Sequence, residues 1–94
     1  MRVKWLRNAA KNLNDATEYL ADENPKVAIE FFVHSVESVN KLAQFPELGR
    51  AGRVAGTREL VIDRFPYIVP YRIKDGNVEI FRVLHTSRMC PRKQ

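Results

Sequence analysis

Residues 67–85 have the sequence YIVPYRIKDGNVEIFRVLH, and the fold follows from this stretch more than from any other. Two runs rich in β-branched and aromatic residues, Tyr67–Ile73 and Val78–His85, indicate strands. Between them, Asp75-Gly76-Asn77 supplies turn residues, so the two runs predict a β-hairpin. Because Pro70 has no N–H to donate, we expect its position to lie at a sheet edge or beside a bulge.

Three further segments precede this hairpin. Residues 57–62, with the sequence TRELVI, are another strand candidate, and Arg2–Leu6 is a short first strand. The segment Glu47–Gly56 contains three glycines and is expected to be a loop.

Two amphipathic helices are predicted between the first strand and the loop. Asn8 can cap the first helix, whose apolar face consists of Ala9, Leu13, Ala16 and Leu20. Asn24 can cap the second, which is expected to run from Pro25 to Gln44 and to end at Phe45-Pro46. The predicted apolar stripe of the second helix is Ile29, Phe32, Val36, Val39 and Ala43, widened by Val33 and Leu42.

The order of elements is β-α-α-β-β-β, which predicts an α+β fold with a helix hairpin packed on one face of a mostly antiparallel sheet. With 94 residues, the chain has room for a single domain, residues 1–94, of which 88–94 are expected to be a basic C-terminal tail. The pattern of the strands does not decide which sheet face remains open.

Positive charge is concentrated in the second half of the chain. The formal net charge is +5, and residues 47–94 carry ten Lys or Arg against five Asp or Glu, whereas residues 1–46 carry six of each. Eight of those ten bases are arginines, whose planar guanidinium groups suit phosphates and carboxylates. This excess indicates either a solvated basic surface or an anionic partner, which would be nucleic acid or an acidic protein.

Cysteine usage and hydropathy predict a cytoplasmic protein. Cys90 is the only cysteine, so neither an internal disulfide nor a cysteine-rich metal site is expected. No signal peptide is recognisable at the N-terminus, and no apolar run approaches the ~20 residues that span a bilayer. We therefore expect no cofactor, no metal and no membrane contact.

No nucleotide-binding or nucleophile motif is present, so the candidate site residues are basic ones. His85 ends the last strand, where it has the chemistry of a general acid or base, and Arg88 follows in position to stabilise phosphate charge. Equally, His85 can form local hydrogen bonds, and Arg88 can pair with a carboxylate. Basic patch candidates on the loop and sheet are Arg53, Arg58, Arg64, Arg72 and Arg82.

Residues 49–91 resemble the RelE/ParE superfamily of plasmid-stabilisation toxins. The resemblance rests on GRVAGTREL at 52–60, YIVPYRI at 67–73 and VEIFRVLH at 78–85, followed by Arg88 and Pro91. It implies two helices packed on a curved antiparallel sheet. It also implies the toxin of a type II toxin–antitoxin system, neutralised by an antitoxin whose C-terminal segment wraps the toxin in a hetero-oligomer.

Within the superfamily, RelE-like members are mRNA interferases that cut message on the ribosome without a metal, and ParE-like members poison DNA gyrase. The resemblance favours the ParE-like branch, because Ile68 stands where nuclease members carry a strand arginine. The target-binding residues are then expected to be Arg53, Arg58, Arg64, Arg72, His85 and Arg88, with no catalytic residue. As a nuclease, the chain would use His85, Arg88 and Arg58. A third interpretation is a non-toxic co-repressor that only binds antitoxin.

Overall fold

The computed structural model describes residues 1–87, which form two helices and one sheet. The elements are β1 (Arg2–Trp5), α1 (Arg7–Glu23), α2 (Pro25–Asn40), a 3-10 turn (Lys41–Ala43), β2 (Arg50–Ala51), β3 (Arg58–Ile62), β4 (Tyr67–Lys74), β5 (Asn77–Ile80) and β6 (Leu84–His85). The strand order is β1-β5-β4-β3-β2, with β6 also paired to β4. Within residues 1–87 only β1 and β5 are parallel, so the predicted α+β fold with a mostly antiparallel sheet is confirmed.

The predicted hairpin joins β4 to β5 through a two-residue turn. Asp75 and Gly76 have φ of 53° and 77°, and Lys74 pairs with Asn77. Positive φ at both central residues is the signature of a type I′ turn, whose twist matches that of the flanking strands. This turn fixes the register of β4, the longest strand of the described sheet, against β5.

The strand predicted at Val78–His85 is interrupted, and Pro70 explains the interruption. Tyr71 pairs with Ile80, and Ile68 pairs with Leu84. The two paired positions are therefore three residues apart on β4 but four residues apart on the opposite segment. The Pro70 carbonyl accepts a hydrogen bond from the Phe81 N–H at 3.0 Å, but its nitrogen has none to return. A one-residue bulge therefore forms opposite Pro70, as expected of a proline within a strand.

Helix α1 begins one residue before its predicted cap. The cap position is occupied by Leu6, which makes no side-chain cap hydrogen bond, so the prediction that Asn8 caps this helix is wrong. The Leu6 N–H donates to the Ile80 carbonyl at 3.0 Å, and the chain turns from the sheet directly into the helix. The predicted inner face is confirmed, because Ala9, Leu13 and Ala16 are buried.

Helix α2 has the predicted cap but a different buried face. The Asn24 side chain accepts hydrogen bonds from the N–H groups of Lys26 and Val27 at 3.1 and 3.3 Å. The helix ends at Asn40, before the 3-10 turn, and not at Gln44 as predicted. The predicted stripe is wrong at Ile29, Phe32 and Val33, which are exposed, since the buried positions of the helix are Ala28, Phe31, Ser35 and Val39. Val36 and Ala43 are half-buried, and flanking Leu42 is buried.

The core lies between the helix hairpin and one face of the sheet. Tyr67, Val69 and Tyr71 alternate along β4 and are buried against the helices. Phe31 is at the centre, with its ring centroid 4.8 Å from that of Tyr67 and 5.3 Å from that of Phe65. Because side chains alternate along a strand, Ile68, Pro70 and Arg72 project to the face that the helices leave uncovered.

Tyr71 also ties the loop before β2 to the core. Its buried hydroxyl donates to the Pro46 carbonyl at 2.7 Å and accepts from the Gly49 N–H at 2.9 Å. A Cβ at position 49 would lie 2.7 Å from the Tyr71 ring and 2.9 Å from the Glu59 carbonyl, so only glycine fits there. Burial raises the pKa of the Tyr71 hydroxyl above its ordinary value.

Substitution of Tyr71 by phenylalanine should destabilise the chain by about 2 kcal/mol, because the buried Gly49 N–H would lose its acceptor. Phenylalanine keeps the ring volume, so the loss of stability measures the contribution of the hydroxyl group alone. Urea unfolding at equilibrium measures it. A change below about 0.5 kcal/mol would mean that water replaces the hydroxyl and that the loop is not anchored through this contact.

Candidate binding groove on the open sheet face

The uncovered face of the sheet carries a groove of about 830 Å³. Its apolar lining is contributed by Leu6, Val54, Ala55, Ile68, Pro70, Phe81 and Leu84. Four arginines also line it, from four different parts of the chain: Arg7, Arg53, Arg72 and Arg82. An apolar floor with cationic groups suits a ligand that is both apolar and acidic.

The bulge opposite Pro70 decides which side chains of the segment after β5 line the groove. Val83 turns inward to the core, whereas Phe81, Arg82 and Leu84 line the groove. An unbroken strand from Val78 to His85 would place Arg82 and Leu84 on the same face as the core residues Val78 and Ile80. After position 80 the faces are exchanged, because the extra residue of the bulge shifts the alternation by one.

The segment between β2 and β3 forms a wall of the groove and is held by its own hydrogen bonds. The Gly52 N–H donates to the Thr57 carbonyl at 2.8 Å, and the Thr57 hydroxyl donates to the Val54 carbonyl at 2.6 Å. Gly56 adopts a φ of 84°, which favours glycine. The turn presents Arg53 and Val54 to the groove.

The carboxylates next to the groove are paired with arginines. The Arg72 Nε atom lies 2.7 Å from Glu79 Oε1, and the same guanidinium lies 5.3 Å from the centre of the Phe81 ring. At the other side, Arg50 Nη2 lies 3.4 Å from Glu59 Oε1. These pairs offset the negative charge, so the lining arginines leave the groove with a net positive charge.

The Arg72–Glu79 pair should make stability depend on pH. The hydrogen bond from Arg72 holds the pKa of Glu79 below its ordinary value of 4.5. A carboxyl with a lowered folded-state pKa stabilises the fold above 4.5, and the contribution is lost as the pH falls through the folded-state pKa. Glu79→Gln should therefore flatten the decline in unfolding free energy below pH 4.5, measured by urea titration across pH 2.5–7. Identical pH profiles for the two proteins would contradict the assignment.

His85 lies on the other side of the sheet from the groove. It lines a small cavity of about 210 Å³ together with residues of α1, and its ring packs edge-on against Tyr67 at 5.1 Å. Its Nδ1 atom accepts a hydrogen bond from the Ser87 N–H at 3.2 Å, and the Ser87 hydroxyl is 2.8 Å away. Local hydrogen bonding, one of the two interpretations open for His85, is thus observed.

Arg58 contacts backbone and is distant from His85. Its Nη1 atom donates to the Gly49 carbonyl at 2.8 Å and lies 3.4 Å from the Glu47 carbonyl. Arg58 pairs with Tyr71 and His85 pairs with Tyr67, so the two are offset by four residues, about 13 Å along β4. The described residues do not bring Arg58 and His85 into one constellation.

Arg64 and His85 lie at the same end of the sheet. The Thr86 N–H donates to the Pro66 carbonyl at 2.8 Å, which joins the segment after β6 to the turn between β3 and β4. In that turn Arg64 has a φ of 74°, an uncommon value for a residue with a side chain, and strained positions of this kind often occur at functional sites. We call this region the sheet-end patch and define it by Arg64 and His85.

The predicted target-binding residues are thus distributed over several places. Arg53 and Arg72 line the groove, Arg64 and His85 form the sheet-end patch, and Arg58 holds the loop before β2. Arg88 lies outside the described residues. Arg7 was not among the predicted residues; it reaches the groove because β1 pairs in parallel with β5 and α1 therefore starts at this face.

Neither a metal centre nor a membrane span is found in residues 1–87. No three His, Cys, Asp or Glu side chains in this range lie close enough together to hold a metal ion. The two helices in the same range are too short or too polar to cross a bilayer.

Comparisons with known proteins agree with this architecture, which is that of a RelE/ParE superfamily toxin. The chain resembles, with a TM-score of 0.85 and 31% identity, a protein of the chromosomal ParDE toxin–antitoxin system from P. aeruginosa, covering 90% of this chain and 95% of that one. The family model described as the ParE toxin of the type II toxin–antitoxin system parDE matches residues 3–90. The chain belongs to this ParE toxin family.

Two curated relatives carry toxin names. The putative toxin Y4kP of Sinorhizobium fredii is 37% identical over 90 residues, which is 96% of this chain and 93% of that protein. The toxin RelE2 of Caulobacter vibrioides is 32% identical over 88 residues, which is 94% of this chain and 98% of that protein. Both relatives match over nearly their whole length, so the likeness is to the complete toxin domain.

Proposed function

We propose that this chain is a ParE-like toxin that inhibits DNA gyrase by binding it, and that a cognate antitoxin neutralises the chain by occupying the basic groove. Membership of the ParE family supports the class of activity. His85 and Arg58 are far apart, and this separation supports the proposal that the chain acts by binding and not by catalysis. In a nuclease, the general acid or base has to lie within hydrogen-bond reach of the atom whose proton it transfers. The residue that stabilises the developing charge has to contact the same phosphate.

The groove supports the antitoxin part of the proposal. Its lining combines apolar side chains with arginines from the start of α1, the loop between β2 and β3, strand β4 and the bulge. A segment that folds on binding would place apolar side chains on the floor and carboxylates opposite the guanidinium groups. Arginine is suited to this role because its planar group binds a carboxylate through two parallel hydrogen bonds.

The sheet-end patch is the proposed contact with gyrase. It is separate from the groove, it contains two of the predicted target-binding residues, and Arg88 follows it in sequence. Arg64 is itself exposed and has an uncommon backbone conformation in the turn between β3 and β4, which is the pattern expected where a side chain has to be presented. Arg64 and His85, with Arg88, are therefore the residues expected to determine toxicity.

A supercoiling assay with purified gyrase tests the proposal. The chain should inhibit supercoiling at micromolar concentration, and a variant with Arg64→Ala and His85→Ala should inhibit at least about tenfold less, which corresponds to 1.4 kcal/mol of binding energy. Arg2→Ala, an exposed arginine on β1 outside the patch, is the matched control and should inhibit as the unaltered chain does.

Two other results would replace the proposal. Message cleavage within codons in a translation reaction, detected by primer extension and abolished by His85→Ala, would establish the ribosome-dependent nuclease. Absence of growth arrest on expression, together with full antitoxin binding, would establish the non-toxic co-repressor. Inhibition that is equal for the Arg64, His85 and Arg2 variants would place the gyrase contact elsewhere on the chain.

A further inference from the structure

Helix α2 carries an apolar stripe that is largely exposed. Ile29, Phe32 and Val33 are 65%, 44% and 47% exposed, and the row ends at Val36, which is half-buried and packs partly against the core. The spacing i, i+3, i+4 and i+7 aligns these four side chains along one side of the helix. Contiguous exposed apolar patches on small proteins mark interaction surfaces more often than chance.

Two opposite charges flank this stripe on the same side. Lys26 and Glu37 are eleven residues apart, about three helical turns, so their side chains lie near one line parallel to the axis. Lys26 is near the start of the stripe, and Glu37 is near its end. Neither side chain forms an ion pair with another residue in the range 1–87.

We propose that this stripe binds a second copy of the chain, with the two α2 helices antiparallel about a two-fold axis. In that arrangement Ile29 of each copy faces Val36 of the other, and Phe32 faces Val33. The same register brings Lys26 of each copy within a turn of Glu37 of the other, because a two-fold axis makes every contact twice. In an antiparallel pair the dipoles of the two helices also point in opposite directions, which is the favourable arrangement.

Charge favours a second copy over the antitoxin as the occupant. Helix α2 carries one lysine and two glutamates, so it offers an acidic segment a single cation against two anions, whereas a second copy pairs Lys26 with Glu37 on both sides of the axis. The groove, in contrast, is lined by four arginines, and α2 contributes no residue to it. Self-association through α2 therefore leaves both grooves of the dimer open, and the two kinds of binding are independent.

The interface between two helices is small, so the dimer should be reversible and of micromolar strength. Sedimentation velocity of the purified chain over a concentration series should show a monomer–dimer equilibrium. Ile29→Glu should raise the dissociation constant at least about tenfold, because it places a charge in the apolar stripe of both copies. Val61→Glu, an equally large change at a half-exposed position on β3, is the matched control and should leave the equilibrium unchanged.

A charge exchange tests the antiparallel register. Lys26→Glu and Glu37→Lys should each raise the dissociation constant roughly fivefold, since each creates two like-charge contacts across the axis. The double variant should restore it to within about twofold, which two independent effects on folding would not do. Far-UV circular dichroism verifies that each variant is folded.

Three results would overturn the proposal. The chain could remain a monomer at the highest soluble concentration. The double exchange could leave association as weak as the single variants do. Ile29→Glu could reduce antitoxin binding without changing self-association, which would assign the stripe to the antitoxin.

Discussion

Phe31→Ala should lower the free energy of unfolding by about 4 kcal/mol, whereas Phe32→Ala, one position along the same helix, should lower it by about 1 kcal/mol. Phe31 is completely buried, and its ring packs against the rings of Phe65 and Tyr67. Truncation removes these contacts and leaves a cavity between α2 and the sheet, which the surrounding side chains fill only in part. Phe32 projects outward from the same helix, so its truncation creates no cavity.

Urea unfolding of both variants measures the difference, at a concentration low enough to keep the chain monomeric. The two substitutions are chemically identical and lie in the same element, so helix propensity cancels between them. Small domains have total stabilities of roughly 5–15 kcal/mol, and Phe31→Ala should remove a large share of that total. Equal losses for the two variants would show that α2 does not turn Phe31 toward the core and Phe32 toward solvent.

The sequence predicted the existence and the start of α2 better than its rotation about its own axis. Apolar residues occupy almost every side of this helix, at Val27, Ala28, Ile29, Phe31, Phe32, Val33, Val36 and Val39. Periodicity therefore could not choose between two overlapping stripes, and the prediction took the one that includes Phe32. The stripe that packs inward contains Ser35, a polar residue that no pattern rule places in a core.

The sequence predicted the candidate site only in part, because local alternation places a residue on a face but does not reveal distant strand pairings. Alternation along β4 was sufficient to bring Arg72 to one face with Ile68 and Pro70. Pro70 also predicted a bulge. Which faces the following residues take, however, depends on which of the two paired strands contains the extra residue. Arg7 was not predicted, because its position depends on the parallel pairing of β1 with β5, a contact between residues more than seventy positions apart.

Arg82→Glu should weaken antitoxin binding roughly 10- to 100-fold. Arg82 is exposed on the bulge and lines the groove, so reversing its charge replaces an attraction for an acidic segment by a repulsion. The fold should be unaffected, because the one hydrogen bond of this guanidinium in the described range is a long one, 3.5 Å, to the Phe81 carbonyl. Isothermal titration calorimetry with a purified cognate antitoxin measures the change.

Arg64→Glu is the matched control, since it makes the same change in net charge at the sheet-end patch. It should leave antitoxin affinity within about twofold and should reduce gyrase inhibition, whereas Arg82→Glu should retain gyrase inhibition and escape neutralisation. The loss caused by Arg82→Glu should also shrink at high salt, because screening weakens exposed charge pairs. If both variants lost antitoxin affinity equally at every salt concentration, net charge alone would explain the binding, and the groove would not be the antitoxin site.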